Sequence, residues 1–136
     1  MSKEMEEYIN YFYDNIVVKY SNYYNEVTSN NFLKSVFKKI DYKEIYNFYN
    51  LLYNELIDLI GKVKKTNEDL TKEFLHELQL FEKMINNEID IYNNEGEMPI
   101  EELKKLRNNR IEYQNEFIKY DNFVFRISIV EHYNNN

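Results

Sequence analysis

Two glycines and one proline are all the conformational punctuation in this chain of 136 residues. Sheets turn their strands on Gly, Pro and Asn-Gly pairs, so the spacing of apolar residues is left to decide the fold, and that spacing is helical almost throughout. Met5, Ile9, Phe12, Ile16, Tyr20, Tyr23 and Val27 recur at steps of three and four and predict a first helix behind a Ser2 cap. Thr28-Ser29-Asn30-Asn31 breaks it with side chains that compete for backbone hydrogen bonds, and Phe32, Leu33, Val36, Phe37 and Ile40 mark a short second helix. Asp41 with Glu44 has the spacing of a capping box. It opens a third helix through Ile45, Phe48, Leu52, Leu56, Leu59 and Val63.

Thr66 and Asp69 signal another start, and Leu70, Phe74, Leu78, Phe81, Ile85 and Ile89 carry a fourth helix. The turn at 93–99 follows, with Gly96 able to close one helix and Pro99 to open the next. The fifth helix runs through Leu103, Leu106, Tyr113, Phe117, Tyr120, Val124 and Ile127. The expected architecture is all-α: an up-and-down bundle of about five helices, the last two forming a long antiparallel hairpin, in one domain over 1–136 with 133–136 as a frayed tail. Residues 123–130 have apolar odd positions and β-branched or aromatic side chains, as a strand would. Helix is the reading taken, since a lone strand would have no partner in the chain. An exposed strand there would pair with another copy and give a homodimer.

Composition removes several classes of function. Without cysteine there is no disulfide framework, thiolate metal site or cysteine nucleophile. The acidic start Met-Ser-Lys-Glu-Met-Glu-Glu lacks the basic and apolar stretches of a secretory signal, and no window approaches the roughly 18 apolar residues of a membrane span. A cytoplasmic protein, in a bacterium or inside a host cell, is expected, with no membrane partner. The chain contains no alanine and is rich in Asn, Lys, Ile and Tyr, whose codons are AT-rich, which points to a low-GC genome such as that of a virus, phage or mobile element.

The motifs that would carry chemistry are incomplete. Glu73 and His76 have the spacing of a di-iron bundle ligand pair, but the other histidine, His132, has Ile129 three residues before it, so no second pair exists. Asn93, Glu95, Gly96 and Glu102 match positions of a calcium loop whose first ligand would have to be Ile91, an aliphatic residue. No metal and no cofactor are expected. On the last helix, Arg126-Ile127-Ser128-Ile129-Val130-Glu131-His132-Tyr133 resembles the HEPN family of RNA-cleaving toxins, in which an Arg is followed a few residues later by a His. The resemblance implies a dimer whose cleft brings Arg126 and His132 of two subunits together to stabilise phosphate charge and move protons. Ile127 stands where the family carries a polar residue.

The remaining features are surfaces. Between Glu82 and Glu102 the acids Glu82, Glu88, Asp90, Glu95, Glu97, Glu101 and Glu102 face only Lys83, whereas 29–65 is locally basic, within a chain of net charge −7. An acidic end steers a protein toward a basic partner and repels nucleic acid, so no direct nucleic-acid binding is expected. Tyr42, Tyr46, Tyr49 and Tyr53 form a stripe along the third helix, and tyrosine is favoured at interfaces because a large apolar ring carries a wettable hydroxyl. These two features set the expectation: a non-enzymatic inhibitor that docks Tyr42, Tyr46, Tyr49 and Tyr53 together with Glu88, Asp90, Glu95, Glu97, Glu101 and Glu102 onto a basic protein. The target class would be a nucleic-acid-processing or defence enzyme, in the manner of an anti-CRISPR or DNA mimic. The alternatives are the HEPN-like toxin acting through Arg126 and His132, and an immunity protein or antitoxin that neutralises a toxin.

Overall fold

A computed structural model describes residues 1–29, 41–93 and 97–135, and its regular structure is entirely helical, with no strand among those residues. Four helices account for it. The first, α1, runs over 3–28 as an α-helical segment Lys3–Tyr11, a π-helical turn Phe12–Val17 and a second α-helical segment Val18–Thr28. It is followed by α2 (Tyr42–Lys64) and α3 (Thr71–Tyr92). The last, α4, spans 100–134 as Ile100–Tyr120, a π-helical turn Asp121–Phe125 and Arg126–Asn134. The segment 123–130 is therefore helical, and the helix continues into the expected tail. The short helix expected over Phe32–Ile40 lies outside the described residues.

Local chemistry explains the helix starts. Ser2 Oγ accepts from Met5 N at 3.0 Å and caps α1, and Asp41 Oδ1 accepts from Glu44 N at 3.1 Å and caps α2. Pro99 occupies the cap position of α4, where its missing N–H leaves nothing unsatisfied. Before α3, Thr71 Oγ1 accepts from Glu68 N at 3.0 Å, and the Glu68 carboxylate takes both the N–H and the hydroxyl of Ser2, tying the start of α1 to the α2–α3 connection.

The core is aromatic at its centre. Phe12 packs edge-on against Phe74, Phe81 and Phe117, and Phe74 stacks on Phe125 at 5.2 Å, so one ring cluster joins α1, α3 and α4. From α2, Ile45, Tyr49, Leu52, Leu56, Leu59, Ile60 and Val63 are buried against it. Each fully buried Leu, Ile or Phe stabilises by about 1.5–3 kcal/mol relative to exposure. Contacts between α3 and α4 climb one helix as they descend the other: Glu88 meets Arg110, Lys83 meets Glu116 and His76 meets Tyr120.

The two π-turns decide which side chains face inward. A regular α-helix advances 400° in four residues, so a row at steps of four drifts by about 40° per step. A turn closed by i→i+5 bonds holds an extra residue and cancels that drift. Phe12, Ile16 and Tyr20 in α1, and Phe117, Asp121 and Phe125 in α4, therefore all stay buried. The same phase shift corrects the expectation for the end of α4. Val124 and Ile127, placed on the core face by their spacing, are exposed, and Asp121 and Phe125 take the inward positions.

Candidate functional site

The four tyrosines of the expected stripe do not form one open surface. Tyr49 is in step with Ile45, Leu52 and Leu56 and is fully buried, with its ring near Tyr20, Tyr23 and Tyr92 and its hydroxyl without a hydrogen-bond partner among the described residues. Tyr42, Tyr46 and Tyr53 are half-buried at the margin of the core. Tyr42 tilts against Tyr92 at 6.0 Å, and the Tyr53 hydroxyl donates to Glu82 at 3.4 Å.

The acidic residues divide as well. Glu88 is 1% exposed and bound by the Arg110 guanidinium through two parallel bonds, Nη2 to Oε1 at 2.7 Å and Nε to Oε2 at 3.0 Å. Its charge is matched inside the protein, so it is removed from the expected docking set. Asp90, Glu97, Glu101 and Glu102 are exposed and have no ion-pair partner among the described residues; Glu95 lies outside them. Partial burial, and then the charge of Glu102, raise the Asp90 carboxyl above its ordinary range. The Glu102 charge on α4 is thus felt at Asp90 on α3, and no ion pair offsets either carboxylate among the described residues. Lys104, Lys105 and Arg107 follow on α4, which confines the acidic patch to the first residues of that helix and the last of α3.

Sequence reasoning missed a second polar cluster, where both π-turns meet α3. Glu77 is fully buried, Asp121 nearly so, and Tyr13 projects between them from the α1 π-turn. The Tyr13 hydroxyl lies 2.5 Å from Asp121 Oδ1 and 2.9 Å from Glu77 Oε2. It has one proton to donate, so a second proton is needed to hold three oxygens together, and Glu77 carries it. Burial, the hydrogen bond to Asp121 and the Asp121 charge push the Glu77 carboxyl up to about 9. Burial works against ionised Asp121, but hydrogen bonds from Glu77, Tyr13 and Arg126 outweigh it and hold that group below its ordinary range. Arg126 completes the cluster with Nε donating to Asp121 Oδ2 at 2.7 Å and its guanidinium 4.6 Å from the centre of the Tyr13 ring. The legible signal was Asp121 itself, a carboxylate four residues from both Phe117 and Phe125.

Arg126 and His132 are not brought together within the chain. Six residues apart on an ideal helix, they stand about 120° apart around its axis, and Arg126 is occupied by Asp121 and Tyr13 while His132 contributes to the field at Glu68. His76 packs edge-on against Tyr120 at 4.5 Å. No group of three or more His, Asp or Glu able to hold a metal occurs among the described residues. No described helix is long and apolar enough to cross a membrane. The chain matches no protein-family model, no curated protein and no solved structure.

Proposed function

We propose that this protein is a non-enzymatic binding protein that docks its acidic end onto a basic protein partner, on a scaffold read as an up-and-down bundle whose last two helices pair antiparallel. The observation that carries this reading is a set of exposed carboxylates, Asp90, Glu97, Glu101 and Glu102, with no ion-pair partner among the described residues, of which Glu102 repels Asp90. Like charges left facing each other destabilise the fold that holds them. A partner's Lys or Arg side chains relieve that repulsion on docking, so the cost in the free protein becomes part of the driving force for association. Glu101 and Glu102 also complement the N-terminus of α4. Asp90, near the C-terminal end of α3, has no such local reason to be there.

Tyr42, packed on Tyr92 two residues from Asp90, supplies a half-buried ring beside this end, with half-buried Tyr46 and Tyr53 further along α2, while Tyr49 and Glu88 serve the interior. An inhibitor of a nucleic-acid-processing or defence enzyme, encoded by a virus, phage or mobile element and working in the cytoplasm, fits this electrostatic logic. The test is capture from source-cell extract at low and high salt, with wild type and with D90N/E97Q/E101Q/E102Q as paired baits. The expected result is a basic protein retained by wild type at low salt and lost from the variant. Equal retention by both baits would overturn the reading.

A further inference from the structure

Across α4 from the buried row Phe117–Asp121–Phe125 runs a second row at steps of four: Lys119, Phe123, Ile127 and Glu131. The π-turn keeps this row nearly parallel to the helix axis, as it does the buried one. Phe123 is 69% exposed and Ile127 44% exposed, and Val124 and Val130 widen the apolar strip on either side. Of the twelve large hydrophobic residues exposed among the described residues, eight lie on α4. The apolar centre has a cation four residues before it and an anion four residues after it, and neither Lys119 nor Glu131 has an ion-pair partner among the described residues.

That order is self-complementary. When a second copy is laid antiparallel along the row, Phe123 meets the partner copy's Ile127, and Lys119 meets its Glu131, each contact occurring twice by symmetry. A parallel arrangement would instead set Lys119 on Lys119 and Glu131 on Glu131. We infer that this face of α4 binds a second copy of the chain across a two-fold axis, with Phe123 and Ile127 as the buried centre and the Lys119–Glu131 pairs setting its direction. The row spans about 18 Å of helix, so the contact is modest in size and the dimer dissociates on dilution. It begins about 25 Å along the helix from Glu102 and leaves the acidic end open.

Sedimentation equilibrium over a concentration series tests this. Wild type is expected to move from 16.8 kDa toward twice that mass. F123S/I127S, altered only at exposed positions, is expected to remain monomeric with an unchanged helical circular dichroism spectrum. K119E alone and E131K alone should each weaken the dimer about tenfold, because two attractive pairs become repulsive. The decisive arm mixes those two single variants in equal amounts: the antiparallel arrangement opposes Glu to Lys at both sites, so the mixture should recover wild-type affinity, as should K119E/E131K. A wild type that stays monomeric, or a dimer indifferent to F123S/I127S or to the charge changes, would overturn the inference.

Discussion

A carboxyl group set beside Phe74, Leu78 and Phe81 on the inward side of α3 ionises only by giving up solvation, and Glu77 avoids this by keeping its proton. The linkage follows directly. The folded chain holds this proton up to about pH 9, whereas the ordinary value is 4.5, so the folded state binds more protons across that window and stability falls as pH rises through it. Asp121 acts in the opposite sense at the acid limit: its contribution is present above the ordinary 3.8 and is lost as pH falls through its lower folded value. Stability should therefore peak in mild acid. Glu77→Gln keeps a neutral donor in place, so it should flatten the decline and stabilise by on the order of 2 kcal/mol in mildly alkaline buffer. Urea titrations at a series of pH values check this, and parallel curves for the two proteins would mean that Glu77 is ionised in the fold. Arg110 gives the complementary case. Arg110→Met should cost roughly 3–5 kcal/mol by leaving the Glu88 carboxylate buried and unmatched, and adding Glu88→Gln should restore most of it.

At the scale of the helix, the π-turns are what assemble the Glu77 cluster. Removing the extra residue from the second one, by deleting exposed Asn122, would turn everything after it by about 100° and carry Phe125 off Phe74 and Arg126 off Asp121. A loss of about 3 kcal/mol or more is expected from the vacated Phe site, measured by thermal unfolding against Asn122→Ala, which preserves chain length and should be close to neutral. A deletion as mild as that substitution would show that the turn carries no packing. These turns also mark where the fold stopped being legible in the sequence. Steps of three and four located α1, α2, α3 and the first part of α4, and Ser2 and Asp41 announced their caps, because those signals depend only on regular α-helical phase. After Tyr120 the phase slips, so the spacing places Val124 and Ile127 inward where Asp121 and Phe125 in fact take the buried positions. The repeated step of four in Phe12–Ile16–Tyr20 and Phe117–Asp121–Phe125 was the visible trace of that slip. Tyr49 was misplaced for another reason: tyrosine is at home both in cores and at surfaces, and only its register with Ile45 and Leu52 distinguishes the two.

Taken as a whole, the molecule pairs most of its interior charges, Glu88 with Arg110 and Asp121 with Arg126, yet leaves Asp90 under the repulsion of Glu102 at one end. If that end is held ready for a cationic partner, relieving it should stabilise the free protein. Asp90→Asn should raise stability by about 0.2–0.5 kcal/mol, the range for like charges on neighbouring helical positions, whereas Glu102→Gln gains the same relief but gives up its favourable interaction with the N-terminus of α4 and should be close to neutral. Because either change removes the same repulsion, the two together should gain less than their sum. The gain should also shrink in about 1 M salt, where screening reaches only about 3 Å. Thermal unfolding of the single and double variants at low and high salt reads all three quantities. Additive gains that persist in salt would mean that the carboxylates do not repel each other, and the acidic end would then lose the physical tension on which its role in binding rests.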